Sequence, residues 1–111
     1  MKTRFVYLNH LDIPFKGKQH YLGSAQVVER RQAEHRAGKG SLFMAEIVRQ
    51  GIGWQVARVW DAGEGKGRVL EGQLRAQKNH RRFCPICQAQ RRDEFIAQGL
   101  TGLFEAFAVK D

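Results

Sequence analysis

A chain of 111 residues has room for one hydrophobic core, and its 42% apolar content argues against disorder. No stretch reaches the roughly 20 apolar residues of a membrane span, which excludes an integral membrane helix. Nineteen Lys and Arg against 11 Asp and Glu leave a formal net charge of +8, which favours a polyanionic partner without choosing among DNA, RNA and an acidic membrane surface.

The basic start, Met1 to Arg4, is followed only by Phe5-Val6-Tyr7-Leu8, too short for the apolar core of a secretory signal. A cytoplasmic location with Cys84 and Cys87 reduced is therefore expected. The same four residues, aromatic and β-branched, read as a first strand. His10 to Lys18 holds Asp12, Pro14 and Gly17 and reads as a turn-rich connection into a second strand, Gln19 to Leu22. This hairpin brings Tyr7 and Tyr21 to one end of the sheet. Ser24 is the expected N-cap of a helix that stops at Gly38.

On a helical wheel Val27, Arg31, His35 and Val28 fall within about 100° of arc, while Arg30, Gln32, Ala33 and Arg36 lie outside it. A guanidinium on that half-buried stripe needs an acceptor, which is a carboxylate of the fold, water at the helix edge, or a substrate phosphate. Beyond Gly38-Lys39-Gly40, Ser41 is expected to cap a second helix to about Gln50, with Phe43, Ile47 and Val48 inward. Trp54 to Trp60 is the clearest strand, apolar in both phases, as suits coverage on both faces. Gly63, Gly65 and Gly67 punctuate a plain turn, since no Lys-Ser/Thr follows them to complete a phosphate loop.

A third long helix is expected from Arg68 to Arg82, with Leu70 and Leu74 as its core stripe. Glu71 lies beside that stripe, either as an i,i+4 partner of Arg75 or as a carboxylate held at the rim of a basic cleft. Arg75, Lys78, Arg81 and Arg82 form a basic flank suited to neutralising phosphates. Cys84-Pro85-Ile86-Cys87 has zinc-knuckle spacing, but zinc takes four ligands and the chain has no second cysteine pair. His80 is a candidate third ligand, and His10, His20, a carboxylate or another subunit the fourth. A structural turn without zinc is the expectation. Leu100, Leu103, Phe104 and Phe107 fall at i, i+3, i+4 and i+7, a final amphipathic helix that docks on the domain or serves a homodimer.

Tyr21-Leu22-Gly23 followed by Arg31 and His35 resembles the second half of the GIY-YIG nuclease signature, with Phe5-Val6-Tyr7 in the place of its Gly-Ile-Tyr strand. Only the tyrosine of that first triplet is kept, and the loop between the halves is longer than usual. Glu71 matches the family's metal-binding glutamate, and Asn79 its later asparagine. The resemblance spans roughly Arg4 to Asn79. It implies an α+β fold, a small three-stranded antiparallel sheet flanked by helices, over residues 1–82, with 83–111 as a basic helical extension packing on it.

The resemblance further implies endonucleolytic hydrolysis of DNA, whether duplex, branched or damaged. Tyr7, Tyr21, Arg31 and His35 would be catalytic, and Glu71 would hold one Mg²⁺ or Mn²⁺. Asn79, Lys78, Arg75, Arg81 and Arg82 would contact the nucleic acid. The alternative is a binding module that has kept the fold and lost the chemistry.

Overall fold

The computed structural model describes residues 3–64, 66–77 and 80–97. It is an α+β domain: β1 (Thr3–Phe15), β2 (Lys18–Ala25), α1 (Val28–Arg36), α2 (Leu42–Arg49), β3 (Trp54–Glu64), α3 (Gly67–Ala76) and α4 (Pro85–Ala97), with a 3₁₀ turn at His80–Phe83. The three strands form one antiparallel sheet in the order β2-β1-β3, so the longest strand, β1, is central. Among the described residues no helix is long and apolar enough to cross a membrane.

The hairpin is tighter than the composition of its loop suggests. β1 runs on to Phe15 and turns through Lys16 and Gly17 alone, both at positive φ, which is the conformation a two-residue hairpin turn requires. The ladder is not continuous, however. From the Phe15–Lys18 pair an unbroken register would set His10 opposite Gly23. The irregularity between His10 and Phe15 instead sets His10 opposite His20 and Tyr7 opposite Gly23.

Alternation along β1 then sorts its side chains into two layers. Val6 and Leu8 pack with Leu22, Cys84 and Cys87, covered by Leu70, Leu74, Phe83 and Ile86. Tyr7, Asn9 and Leu11 face the other way. There Leu11 joins Met44, Ile47 and Ile52, and Tyr7 and Asn9 reach α1. Each fully buried Leu or Ile contributes about 1.5–3 kcal/mol. A small domain with two such layers has little to spare.

Several local expectations are revised. Ser24 does not cap α1; it lies in β2, where its hydroxyl accepts from Arg4 Nε at 3.4 Å. Val27 takes the N-cap position without a side-chain hydrogen bond. The buried face of α1 is Gln32 and His35, while Val27 is exposed, because β1 offers polar partners there. Gln32 donates to Asn9 Oδ1 at 2.9 Å and accepts from Trp54 Nε1 at 2.8 Å.

Ser41 does cap α2, accepting from the Met44 amide at 3.2 Å. β3 is an edge strand with Val56 and Val59 exposed, so its two apolar phases do not mean two covered faces. α3 ends at Ala76, with Gln77 extended, and the basic run beyond it continues as the 3₁₀ turn. The expected final helix from Leu100 lies outside the described residues, as do Lys78 and Asn79.

Candidate active site and metal centre

Two constellations lie on opposite faces of the hairpin, one on each side of β1. The first begins with Gly23. A Cβ at this position would run into the hydroxyl of Tyr7 and crowd the ring of Tyr21, so only glycine lets both phenols crowd this point of β2. Tyr7 and Tyr21 have ring centroids 6.4 Å apart, and His35 stands 5.9 Å from the first and 5.6 Å from the second.

The Tyr7 hydroxyl lies 2.7 Å from His35 Nε2, while His35 Nδ1 faces the Lys39 carbonyl at 3.2 Å. A carbonyl only accepts, so the proton belongs on Nδ1, and Nε2 takes the phenol's hydrogen. Burial lowers the His35 pKa, opposed by the Lys39 carbonyl and aided by Arg31. The imidazole is therefore neutral at pH 7. Burial, with Tyr21 beside it, raises the Tyr7 phenol well above its ordinary value; Arg31 opposes this and Glu71 adds to it.

Arg31 is partly exposed at the rim, 3.6 Å from Glu34. Its guanidinium passes so close to Gly40 that a Cβ there would sit 3.2 Å from Nη1, and Gly40 also needs its φ of 85°. Glu71 forms the i,i+4 pair with Arg75 at 2.9 Å, and Arg75 also donates to the Leu22 carbonyl at 2.8 Å. α3 thus lays Leu70 and Leu74 on the Val6–Leu8 face, while Arg75 ties it to β2 beside Gly23. The structure brings Tyr7, Tyr21, Arg31 and His35 together, and it holds Glu71 near enough for its charge to act on Tyr7.

The second constellation overturns an expectation. His10, His20, Cys84 and Cys87 present ligand atoms that all lie within 4.8 Å of one another. His10 Nδ1 is 3.4 Å from His20 Nε2, 3.4 Å from Cys84 Sγ and 3.6 Å from Cys87 Sγ, and His20 Nε2 is 3.3 Å from Cys87 Sγ. A zinc tetrahedron with bonds of about 2.3 Å to sulfur and 2.0–2.1 Å to nitrogen has edges of about 3.3–3.4 Å between nitrogens and about 3.5–3.6 Å between nitrogen and sulfur. The four observed distances lie within about 0.3 Å of these lengths, and the whole set fits within 4.8 Å.

The Cys87 amide, 3.5 Å from Cys84 Sγ, supplies the outer hydrogen bond that such thiolates accept. Without a cation the Cys87 thiol is pushed up to about 11 by burial and by Cys84, and His20 is pushed down to about 4 by burial and by His10. Four donor groups that face one another, three of them buried and His20 half-buried, fit a structural zinc.

Metal use confined to Mg²⁺ or Mn²⁺, with zinc unlikely, is therefore corrected: the chain carries a Cys₂His₂ set of structural-zinc type. His80 is not part of it; its Nε2 faces the Leu74 carbonyl at 3.2 Å. The two missing ligands are supplied by the hairpin. Their spacing in the sequence signals nothing, because the strand irregularity decides that they meet. Arg81 and Arg82 are exposed on the 3₁₀ turn.

Comparison with protein-family models, with curated proteins and with solved structures returns no match.

Proposed function

We propose that this domain is an endonuclease of GIY-YIG type that hydrolyses DNA phosphodiester bonds, with the zinc set as its structural clamp. The observation that carries this reading is the convergence of Tyr7, Tyr21, Arg31 and His35 around Gly23, where a Cβ would run into the Tyr7 hydroxyl, and beside Gly40, where one would crowd Arg31.

Arg31, at the rim, donates to a non-bridging oxygen of the scissile phosphate, where fixed positive charge counts most as negative charge builds. Tyr21, the more exposed phenol, orients the attacking water. Tyr7, with its raised pKa, is a poor base by itself. Its bond to neutral His35 supplies the remedy: as the Tyr7 oxygen takes a proton from water, its own proton passes to His35 Nε2. Glu71 is the carboxylate at which a divalent cation would share the phosphate, and Arg75 would have to release it.

A second reading is a nucleic-acid-binding module without catalysis. The burial of Tyr7 and His35 favours it, since it leaves Tyr21 and Arg31 as the accessible members of the cluster. Nicking of supercoiled plasmid by the zinc-loaded protein, with and without a further divalent cation, separates the two. Arg31→Ala is expected to abolish nicking and leave the fold intact. Unchanged turnover in that variant would end the nuclease reading.

A further inference from the structure

Along the outer edge of β2 runs an open groove of about 760 Å³, bounded by Tyr21, Phe43, Lys18, Arg75, Arg81 and His20. Its position follows from the topology. β2 is an edge strand, α2 delivers Phe43 from the Tyr7 side of the sheet, and α3 and the 3₁₀ turn deliver Arg75 and Arg81 from the other.

The two walls differ in chemistry. One is aromatic: Tyr21 and Phe43 lie nearly parallel, 9° between planes at 5.9 Å, with Phe15 6.4 Å beyond. The other is cationic, with Arg81 and Lys18 exposed and Arg75 tied to Glu71. Tyr21 belongs both to this groove and to the cluster around Gly23, so whatever lies in the groove leads into that cluster.

We infer that the groove binds an unpaired stretch of DNA strand, with a base against the Phe43–Tyr21 wall and its phosphates toward Lys18 and Arg81. A base in a duplex has both faces covered by its neighbours, so only an unstacked one can lie against an aromatic wall. The volume is that of a site for a nucleotide-sized ligand. An extended peptide adding to the β2 edge is the other way to fill such a groove. The cationic wall and the net charge of +8 favour the polyanion. The choice of DNA, and the entry of this strand into the cleavage site, rest on the nuclease reading; the binding itself does not.

The test is fluorescence anisotropy on the zinc-loaded protein with no other divalent cation added. The probes are labelled oligothymidylate, a blunt hairpin duplex and the oligouridylate counterpart. Phe43→Leu keeps an apolar side chain against Met44 and Ile47 but removes the aromatic face. It is expected to weaken oligothymidylate binding about tenfold, the loss of one base stack, and to leave duplex binding unchanged. Phe43→Trp should restore it. Lys18→Ala should lower the slope of log affinity against log salt by about 0.7 for the single strand.

Equal single-strand affinity for wild type and Phe43→Leu, an equal loss on the duplex, or tighter binding of oligouridylate overturns the inference. Phe43-dependent binding in a protein that never nicks DNA retains the groove and ends the nuclease reading. Nicking that ignores Phe43 retains the nuclease reading and overturns the strand's entry from the groove into the cleavage site.

Discussion

The hydroxyl of Tyr7 on β1 and Nε2 of His35 on α1 meet at 2.7 Å across a separation of 28 residues, and both groups are buried. This one bond fixes the tautomer of the imidazole and ties α1 to the central strand of the sheet.

Removing the hydroxyl tests both of its roles. Tyr7→Phe leaves His35 Nε2 buried without a donor, which costs about 1–3 kcal/mol in denaturant unfolding. In the nuclease reading nicking also falls, by more than the lost stability explains. Full activity with a destabilised fold would make the bond purely structural.

Gly23→Ala is expected to be worse than a loop glycine substitution. The added methyl meets Tyr7 Oη and the Tyr21 ring, so one phenol must move, at about 1–3 kcal/mol. Gly38→Ala, by contrast, meets nothing within 4 Å, and its penalty comes from a φ of 78° alone. Thermal melts of the two variants, read beside the Tyr fluorescence of each, separate crowding from backbone strain.

Purified protein should carry one zinc per chain by elemental analysis. His20→Ala or Cys87→Ser should lose it and lower Tm by about 10–20 °C, equivalent to roughly 3 kcal/mol in a domain near this size. His80→Ala should keep its zinc. Metal retained at full stoichiometry in His20→Ala would remove the hairpin from the ligand set.

Stability should fall on both sides of neutrality. His35 is held neutral by burial, so its folded pKa lies below its unfolded value near 6.5; its contribution is complete above that pH and declines as the pH falls toward the folded value. Tyr7 has the opposite sign. Its raised folded pKa keeps its contribution complete below the unfolded value near 10, and that contribution declines as the pH rises past it. Denaturant midpoints measured across this range should form a plateau with both shoulders. The alkaline shoulder should be much reduced in Tyr7→Phe.

Much of the chain could be read from local chemistry. Ser41, directly before the apolar run Leu42-Phe43-Met44, caps α2 as its place suggests, and Phe5 to Leu8 and Trp54 to Trp60 are strands because β-branched and aromatic residues suit a pleated surface. The inward face of α1 was not legible in this way. Gln32 is buried because Asn9 and Trp54 satisfy both ends of its amide, and a polar side chain does not announce such partners.

Composition and order determined a small basic α+β chain, its hairpin, its helix after Gly40 and the cysteine pair with knuckle spacing. The tertiary structure alone decided that His10 and His20 complete that pair. The reason lies in the strand: a ladder slip near the turn changes which residues face one another, and side chains alternate with every residue, so a shift invisible in the sequence brings two imidazoles to two thiols.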